Sequence, residues 1–456
     1  MVGQALSPGN LSKGAAQGYR VNGLLTDLYE LTMAAGYYEA GKVQQKATFE
    51  LTIRRLPAHR NFVLAAGLPQ AIDYLLNLSF SGEEIDYLRG LPAFARVSAR
   101  FFDYLRGFRF TGDVFAVPEG TPLFAGEPMM SVRAPLIEAQ IPETYLLSAL
   151  TFQTLIATKA ARMVEAAAGR AVVEFGTRRA HTPEAGVLAG RVAYLGGCQG
   201  TSNTLAGFRY GVPVYGTAAH SWIMSFCGET EAFRQLQRVL GPSTVQLVDT
   251  YDAIEGTRKA AALGKPLWGI RLDSGDFLRE SRAARAILDE AGLQEAKIML
   301  SGDLDEHRIR ELVASGAPVD AFGVGTQLAT SADAPNMGAI YKLVELDICG
   351  IQRFTAKLSE DKATLPGAKQ VFRFDDHDVL ARSGECSRGR ALLRPVLLGG
   401  HLVEPLPDLS TARARAAESL RKLPAELRSL EPSEPWPVRH SRDLTALIEQ
   451  TRRNLA

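Results

Sequence analysis

From residue 171 onward the chain alternates short β-rich runs with helical patterns, and this alternation limits the possible fold more than any other feature. The runs are AVVEFG, VAYLGG, VPVYGT, VQLVDT, LWGIRLDSGD, AKIMLSGD, VDAFGVGT and AIYKLVEL. Helical stretches such as TEAFRQLQRVL, YDAIEGTRKAAALG and FLRESRAARAILDEAG lie between several of them. Strand and helix in alternation predict βαβ units and parallel strands. About eight strands suit a closed, irregular β/α barrel. A doubly wound open sheet is the alternative.

The flanking segments read differently. TDLYELTMAAGYYEAG predicts a helix with Thr26 or Asp27 as N-cap and Gly41 as stop. ATFELTIRRL alternates as a strand does. FTGDVFAVPEGTPLFAGEPMMSVRAPL, punctuated by Gly and Pro, reads as a small antiparallel β unit. IPETYLLSALTFQTLIATKAARMVEAAAG is a long apolar-periodic helical stretch. The segment around AKLSEDKATLPGAKQVFRF is polar and loop-like, and STARARAAESLRKL and SRDLTALIEQTRRNL are charged helices with solvated faces. The expected organisation is a tail over 1–20, an α+β domain over 21–140, a barrel-like domain over 141–346 and a C-terminal segment over 347–456.

Charge excludes one class of partner. Lys and Arg total 51 against 50 Asp and Glu, so the formal net charge is +1. No whole-chain attraction to nucleic acid or an anionic membrane follows. The four cysteines, Cys198, Cys227, Cys349 and Cys386, form no CxxC pair and have no metal-ligand spacing with histidine. Reduced thiols in a cytoplasmic protein are the expectation. The first twenty residues lack the apolar core of a signal peptide, and no apolar run reaches the length of a membrane span.

Chemistry in parallel β/α domains gathers at the C-terminal ends of strands. AVVEF is followed by Gly176, Thr177, Arg178, Arg179 and His181; VAYLGG by Gly200, Thr201, Ser202 and Asn203; VPVY by Gly216, Thr217 and His220. LWGI leads to Arg271, Asp273, Ser274, Gly275 and Asp276, AKIML to Ser301, Gly302, Asp303 and Asp305, and VDAFGV to Gly325 and Thr326. Tight Gly-rich turns such as GVGT and SGDLD expose backbone N–H groups that bind phosphate oxygens. Arg178 and Arg271 can grip a carboxylate or phosphate with two parallel bonds. Asp273, Asp276 and Asp303 can hold Mg²⁺, which takes oxygen ligands and arrives with substrate phosphates. A phosphate-rich sugar and a smaller anion are the expected ligands. Each residue also has a plainer use: Asp273 and Asp276 as helix caps, Arg178 and Arg179 in surface ion pairs, Phe175 in the core, His220 as a hydrogen-bonded buried histidine.

The stretches TDLYELTMAAGYY, EFGTRRAH, GTSNTLAG, GTAAHSWIMSF, IRLDSGD, SGDLDE, FGVGTQLATS and KLSEDKATLPGAKQVFR, in this order from Thr26 to Arg373, resemble nicotinate phosphoribosyltransferase. The resemblance implies transfer of phosphoribosyl from phosphoribosyl pyrophosphate to nicotinate, coupled to ATP hydrolysis, with Mg²⁺, at the entry to NAD salvage. It implies an irregular α/β barrel with a second α+β domain built from both ends of the chain, and a cytoplasmic homodimer with shared active sites. His220 then matches the histidine that ATP phosphorylates, and Ala218 and Ala219 leave its ring open to a γ-phosphate. Tyr29, reaching from the partner subunit, and Phe175 sandwich the pyridine ring. Ser202, Thr217 and Arg271 bind nicotinate. Arg178, Asp273, Ser301, Gly302, Asp303, Gly323, Gly325 and Thr326 hold the phosphoribosyl and phosphate groups, with Asp273 and Asp303 the candidates near Mg²⁺.

Relatives that use nicotinamide carry an acid where Ser202 stands. An acid accepts from an amide NH₂ and repels a carboxylate, so Ser202 favours nicotinate. Quinolinate phosphoribosyltransferase is shorter and lacks the AHSW motif. A non-catalytic nucleotide-binding relative is the remaining alternative, and no motif position is visibly lost.

Overall fold

In a computed structural model, which describes residues 23–359 and 362–455, the chain divides into two compact units. The expected tail over 1–20 lies outside the described residues. Among the described residues, one unit holds 156–335 with 428–431; the other holds 23–155, 336–359, 362–427 and 432–455. The helix Glu143–Ala166 contributes its first half to the second unit and its remainder, from Ile156, to the first. The protein is an α/β protein with a parallel-sheet unit and a separate sheet-rich unit drawn from both ends of the chain.

The parallel sheet has six strands: β1 (Ala171–Glu174), β2 (Gly200–Thr201), β3 (Val245–Leu247), β4 (Gly269–Leu272), β5 (Lys297–Gly302) and β6 (Ala321–Val324). Their order is β2-β1-β6-β5-β4-β3, and every pairing is parallel. Crossover helices include Ala253–Leu263, Phe277–Glu290 and Glu306–Ala314. Asp252, Asp276 and Asp305 cap them, each carboxylate accepting from backbone N–H groups of the first turn.

Register decides which residues share a face. Arg271 pairs with Met299, Met299 with Ala321, and Ala321 with Ala171; Ser301 pairs with Gly323, and Gly323 with Val173. Side chains alternate along a strand, so odd-numbered residues across β1, β4, β5 and β6 point one way. Even-numbered Val172, Ile270, Leu272, Ile298, Leu300, Phe322 and Val324 are fully buried on the opposite face.

Three expected strands differ. VAYLGG ends the helix Pro183–Leu195, which Thr182 caps through Ala185 N–H with Pro183 in its first turn. That helix is buried on nearly every side, so it lacks the polar stripe that would mark its period. VPVYGT makes only an isolated bridge, Val214 with Thr201; Pro213 has no N–H to donate. AIYKLVEL falls in Gly338–Ile348, which belongs to the other unit. The expected eight strands therefore reduce to six, one of them the two-residue β2.

In the sheet-rich unit Gly338–Ile348 lies antiparallel to Lys46–Arg55, which pairs on its other edge with Pro128–Pro135. Asp113–Ala116, Arg394–Leu398 and His401–Leu402 extend this seven-stranded sheet on one side and Ile351–Phe354 on the other. Phe49 stacks on Tyr341 at 5.1 Å, within a core that includes Leu51, Ile53, Val114 and Val132. The segment expected as a loop contains the strand Lys369–Arg373, in a four-stranded sheet with Arg390–Ala391, Asp378–Arg382 and Val438–His440.

Candidate active site

The face shared by odd-numbered strand residues carries the site. Val173, Met299 and Ala321 form a small buried cluster on it, with Phe175, Tyr215 and Trp268 packed alongside. Arg271 Cζ lies 5.9 Å from the centre of the Phe175 ring. Two residues further along their strands come Asp273 and Ser301.

Arg271 is the hub. Its Nε donates to Ser301 Oγ at 2.6 Å, Nη1 to Thr217 Oγ1 at 2.7 Å and Nη2 to Asp273 Oδ1 at 2.5 Å. Ser301 Oγ donates in turn to Asp273 Oδ1 at 2.5 Å. Only 11% of the Arg271 side chain is exposed, so its fork is held rigidly with its charge largely out of water. Burial alone would raise the Asp273 carboxyl, but Arg271, Ser301 and His220 outweigh it and hold Asp273 below the usual range. Asp273 therefore stays ionised at neutral pH.

His220 begins the short helix His220–Met224. Its Nδ1 sits 3.2 Å from Thr250 Oγ1 and its Nε2 3.7 Å from Asp273 Oδ2. The second distance is too long for a hydrogen bond but within reach of an ion pair. Thr250 follows Asp249, which was not singled out from sequence. Asp249 Oδ2 accepts from the N–H of Asp273 at 2.7 Å, the N–H of Ser274 at 2.8 Å and Ser274 Oγ at 2.9 Å. The two consecutive residues after β3 thus orient the His220 ring and the Asp273 turn. A carboxylate two residues past a strand end, at the edge where Asp273 lies, was the available signal.

Glu174 was also missed. Fully buried at the end of β1, it accepts from Gly176 N–H and from Thr201 Oγ1 at 2.5 Å, while its carbonyl accepts Ser202 N–H at 2.8 Å. It fixes the turns that follow Phe175 and precede Ser202; burial pushes its carboxyl up against those hydrogen bonds. Two glycines are required by close approach. A Cβ on Gly323 would lie 2.7 Å from the Phe175 ring and 3.1 Å from Ser301 Cβ. Gly302 has φ +118°, and a Cβ there would meet the Asp273 carbonyl at 2.5 Å. Gly325 lies by the Phe175 carbonyl and precedes the exposed Thr326, which opens the helix Thr326–Ala329.

Phe175, Thr217, His220, Arg271, Asp273, Ser301, Gly302, Gly323 and Gly325 are therefore in one neighbourhood. Arg178 is exposed in the turn Thr177–Arg179 and makes no hydrogen bond or ion pair among the described residues, as is true of the exposed Asp303. Asp276 caps Phe277–Glu290, the plainer of its two expected uses. No group of three or more His, Cys, Asp or Glu side chains among the described residues is placed to hold a metal. The oxygen donors of Asp273 and Asp303 suit Mg²⁺ arriving with substrate phosphates, which needs only one or two carboxylates.

Tyr29 belongs to the other unit, half exposed in the first turn of Leu28–Glu39. Next to it Glu30 is fully buried. Glu30 Oε2 accepts from Gln140 Nε2 at 2.5 Å, and the same amide reaches Glu143 Oε2 at 3.2 Å; Oε1 has no hydrogen-bond partner among the described residues. Burial is the main cause that pushes the Glu30 carboxyl up to about 7, with the neighbouring Glu143 adding to it.

This combination defines an α/β protein whose reactive groups rise from the C-terminal ends of parallel strands. Family models for the nicotinate phosphoribosyltransferase N-terminal domain, the nicotinate phosphoribosyltransferase family and its C-terminal domain match residues 24–151, 171–353 and 368–448. The chain is 45% identical to a nicotinate phosphoribosyltransferase of Mycobacterium tuberculosis over 423 residues, covering 90% of this chain and 89% of that one. It is 44% identical to the Bacillus subtilis nicotinate phosphoribosyltransferase, covering 77% and 72%. The crystal structure of human nicotinic acid phosphoribosyltransferase superposes with a TM-score of 0.78 at 30% identity, covering 94% of this chain and all of that one. The chain belongs to the nicotinate phosphoribosyltransferase family.

Proposed function

We propose that this protein transfers phosphoribosyl from phosphoribosyl pyrophosphate to nicotinate, giving nicotinate mononucleotide and pyrophosphate, with ATP hydrolysis coupled through His220. The observation that carries the reading is the Arg271 fork, shared among Thr217, Ser301 and Asp273 with Phe175 against it. A flat aromatic acid needs one apolar ring face and one cation at its edge, and Phe175 and Arg271 supply both. Ser202 leaves the carboxylate without a like charge. Arg178, free of partners among the described residues, and the turns at Gly302 and Gly325–Thr326 suit the sugar and its phosphates.

The nicotinate ring nitrogen has a free lone pair, so no general base is required at the attacking atom. Its bond to the anomeric carbon forms as the bond to pyrophosphate breaks, and the leaving oxygen takes the electron pair. In this reading ionised Asp273 stabilises the positive charge that develops on the ribose ring, and Arg178 the charge on the departing phosphates. Mg²⁺, when bound near Asp273 or Asp303, neutralises phosphate charge. An imidazole nitrogen of His220 attacks the γ-phosphorus of ATP as the bond to the bridging oxygen breaks and ADP leaves with its electron pair, and the Asp273 carboxylate stabilises the positive ring formed in that step.

The same reading makes the protein a homodimer in which Tyr29 of one subunit completes the partner's site. Half-exposed Tyr29, with Leu25 and Leu28 exposed beside it, supports a partner surface there. No helix among the described residues is long and apolar enough to cross a membrane. All four cysteines are free, which suits the reducing cytoplasm. The test is steady-state turnover of nicotinate, nicotinamide and quinolinate with the ribosyl donor and Mg²⁺, with and without ATP. The reading predicts nicotinate mononucleotide formation stimulated by ATP. Preference for either other acid or amide, or no product, refutes it.

A further inference from the structure

Lys159 and Arg162 lie one turn apart on the helix Glu143–Ala166 and are almost wholly buried, 1% and 3% exposed. Between them is Glu306, also fully buried. Lys159 Nζ is 2.5 Å from Glu306 Oε2 and 2.8 Å from Asp333 Oδ1, and Arg162 Nε donates to Glu306 Oε1 at 2.9 Å. Removing charges from water is expensive, and apolar residues of similar volume often serve stability as well or better. Stability alone is therefore a weak reason for this cluster.

Its anchor points suggest another. Glu306 directly follows Asp305, the cap that closes the Ser301–Asp305 turn after β5. Asp333 follows the Gly325–Thr330 segment after β6, where the N–H groups of Leu328 and Ala329 donate to the Gly325 carbonyl. These are the two turns assigned above to the sugar and its phosphates. One ammonium group holds the chain just beyond both of them. Because β5 and β6 are adjacent, the distance between the turns is set by the strands at one end and by Lys159 at the other.

We propose that Lys159, anchored on Glu306 and Asp333 and backed by Arg162, is a positioning residue that fixes the spacing of the two turns gripping the phosphoribosyl donor. The inference rests on the proposed function and adds residues that touch no substrate. Burial would raise the Glu306 carboxyl, but Lys159 and Arg162 outweigh it and keep it below its ordinary value. Glu306 is thus ionised throughout the neutral range.

The test uses the full chain with Asp333→Asn and Lys159→Met, measuring donor affinity by calorimetry with phosphoribosyl pyrophosphate and Mg²⁺, both Michaelis constants, and thermal midpoints. Asp333→Asn cuts one anchor at a side chain that is one-third exposed and leaves the Lys159–Glu306 pair intact. It should weaken donor binding and raise the donor KM about tenfold, with the nicotinate KM within about twofold and the midpoint within a few degrees. Lys159→Met should weaken donor binding further, and if it does not fold, Asp333→Asn alone decides. Donor binding unchanged in Asp333→Asn, or equal rises in both KM values, overturns the clamp. If the wild-type protein binds no donor, the functional reading falls and the clamp with it. A wild type that binds and an Asp333→Asn variant that binds equally well overturn the clamp alone.

Discussion

Glu30 should make this protein less stable as pH rises through the neutral range, and Glu30→Gln should remove that loss. In the folded chain its carboxyl titrates at about 7, against an ordinary 4.5. Between those two values the folded state holds a proton that the unfolded state has released, so stability falls with increasing pH. At about 1.4 kcal/mol per pH unit the whole window amounts to about 3 kcal/mol, most of it between pH 5 and pH 8. Glutamine cannot ionise, and its NH₂ can take the place of the proton on the Glu143 side while its oxygen still accepts from Gln140. Urea unfolding by circular dichroism at pH 5, 6, 7 and 8 measures the effect. The stability of Glu30→Gln relative to wild type should rise by about 2–3 kcal/mol from pH 5 to pH 8. A difference between the two proteins that does not change with pH refutes the reasoning, because a merely packed glutamate would give that result.

Three further outcomes follow from the site. His220→Ala should reduce ATP hydrolysis by roughly a thousandfold and abolish ATP stimulation while leaving some ATP-independent transfer; full stimulation in a coupled assay removes His220 from that role. Ser202→Asp places a carboxylate near the substrate's own and should raise the nicotinate KM roughly ten- to a hundredfold; an unchanged preference over nicotinamide shows that Ser202 does not set specificity. Gly323→Ala drives a methyl group into the Phe175 ring and should destabilise the fold by about 1–3 kcal/mol and weaken nicotinate binding. Wild-type affinity in a titration would show that the ring has no fixed place in the site.

Much of the site was legible because parallel strands deliver their chemistry at one edge. Once AVVEFG, LWGIRLDSGD, AKIMLSGD and VDAFGVGT were read as strands, Arg271, Asp273, Ser301 and the glycines fell at the same end without further input. Period-two alternation does the rest by turning Phe175, Arg271, Asp273, Ser301 and Gly323 to one face. What stayed hidden depends on contacts distant in sequence. Nothing in VAYLGG distinguishes a helix buried all round from a buried strand. Nothing in AIYKLVEL says that its partner is Lys46–Arg55 rather than VDAFGVGT. Asp249, Thr250 and Glu174 act only through backbone groups and side chains of other turns, so their roles emerge only when those turns are in place.

The pairing of Lys46–Arg55 with Gly338–Ile348 joins residues roughly 280–300 positions apart. A ribosome adding about 5–20 residues per second needs roughly 15–60 s to supply the second strand after the first has emerged. Throughout that interval one edge of a strand carrying Phe49, Leu51 and Ile53 is without its neighbour. Slowed elongation or a scarcity of chaperones should therefore reduce the yield of this protein through this sheet, whose open edge is covered only after all the parallel strands of the site have been synthesised.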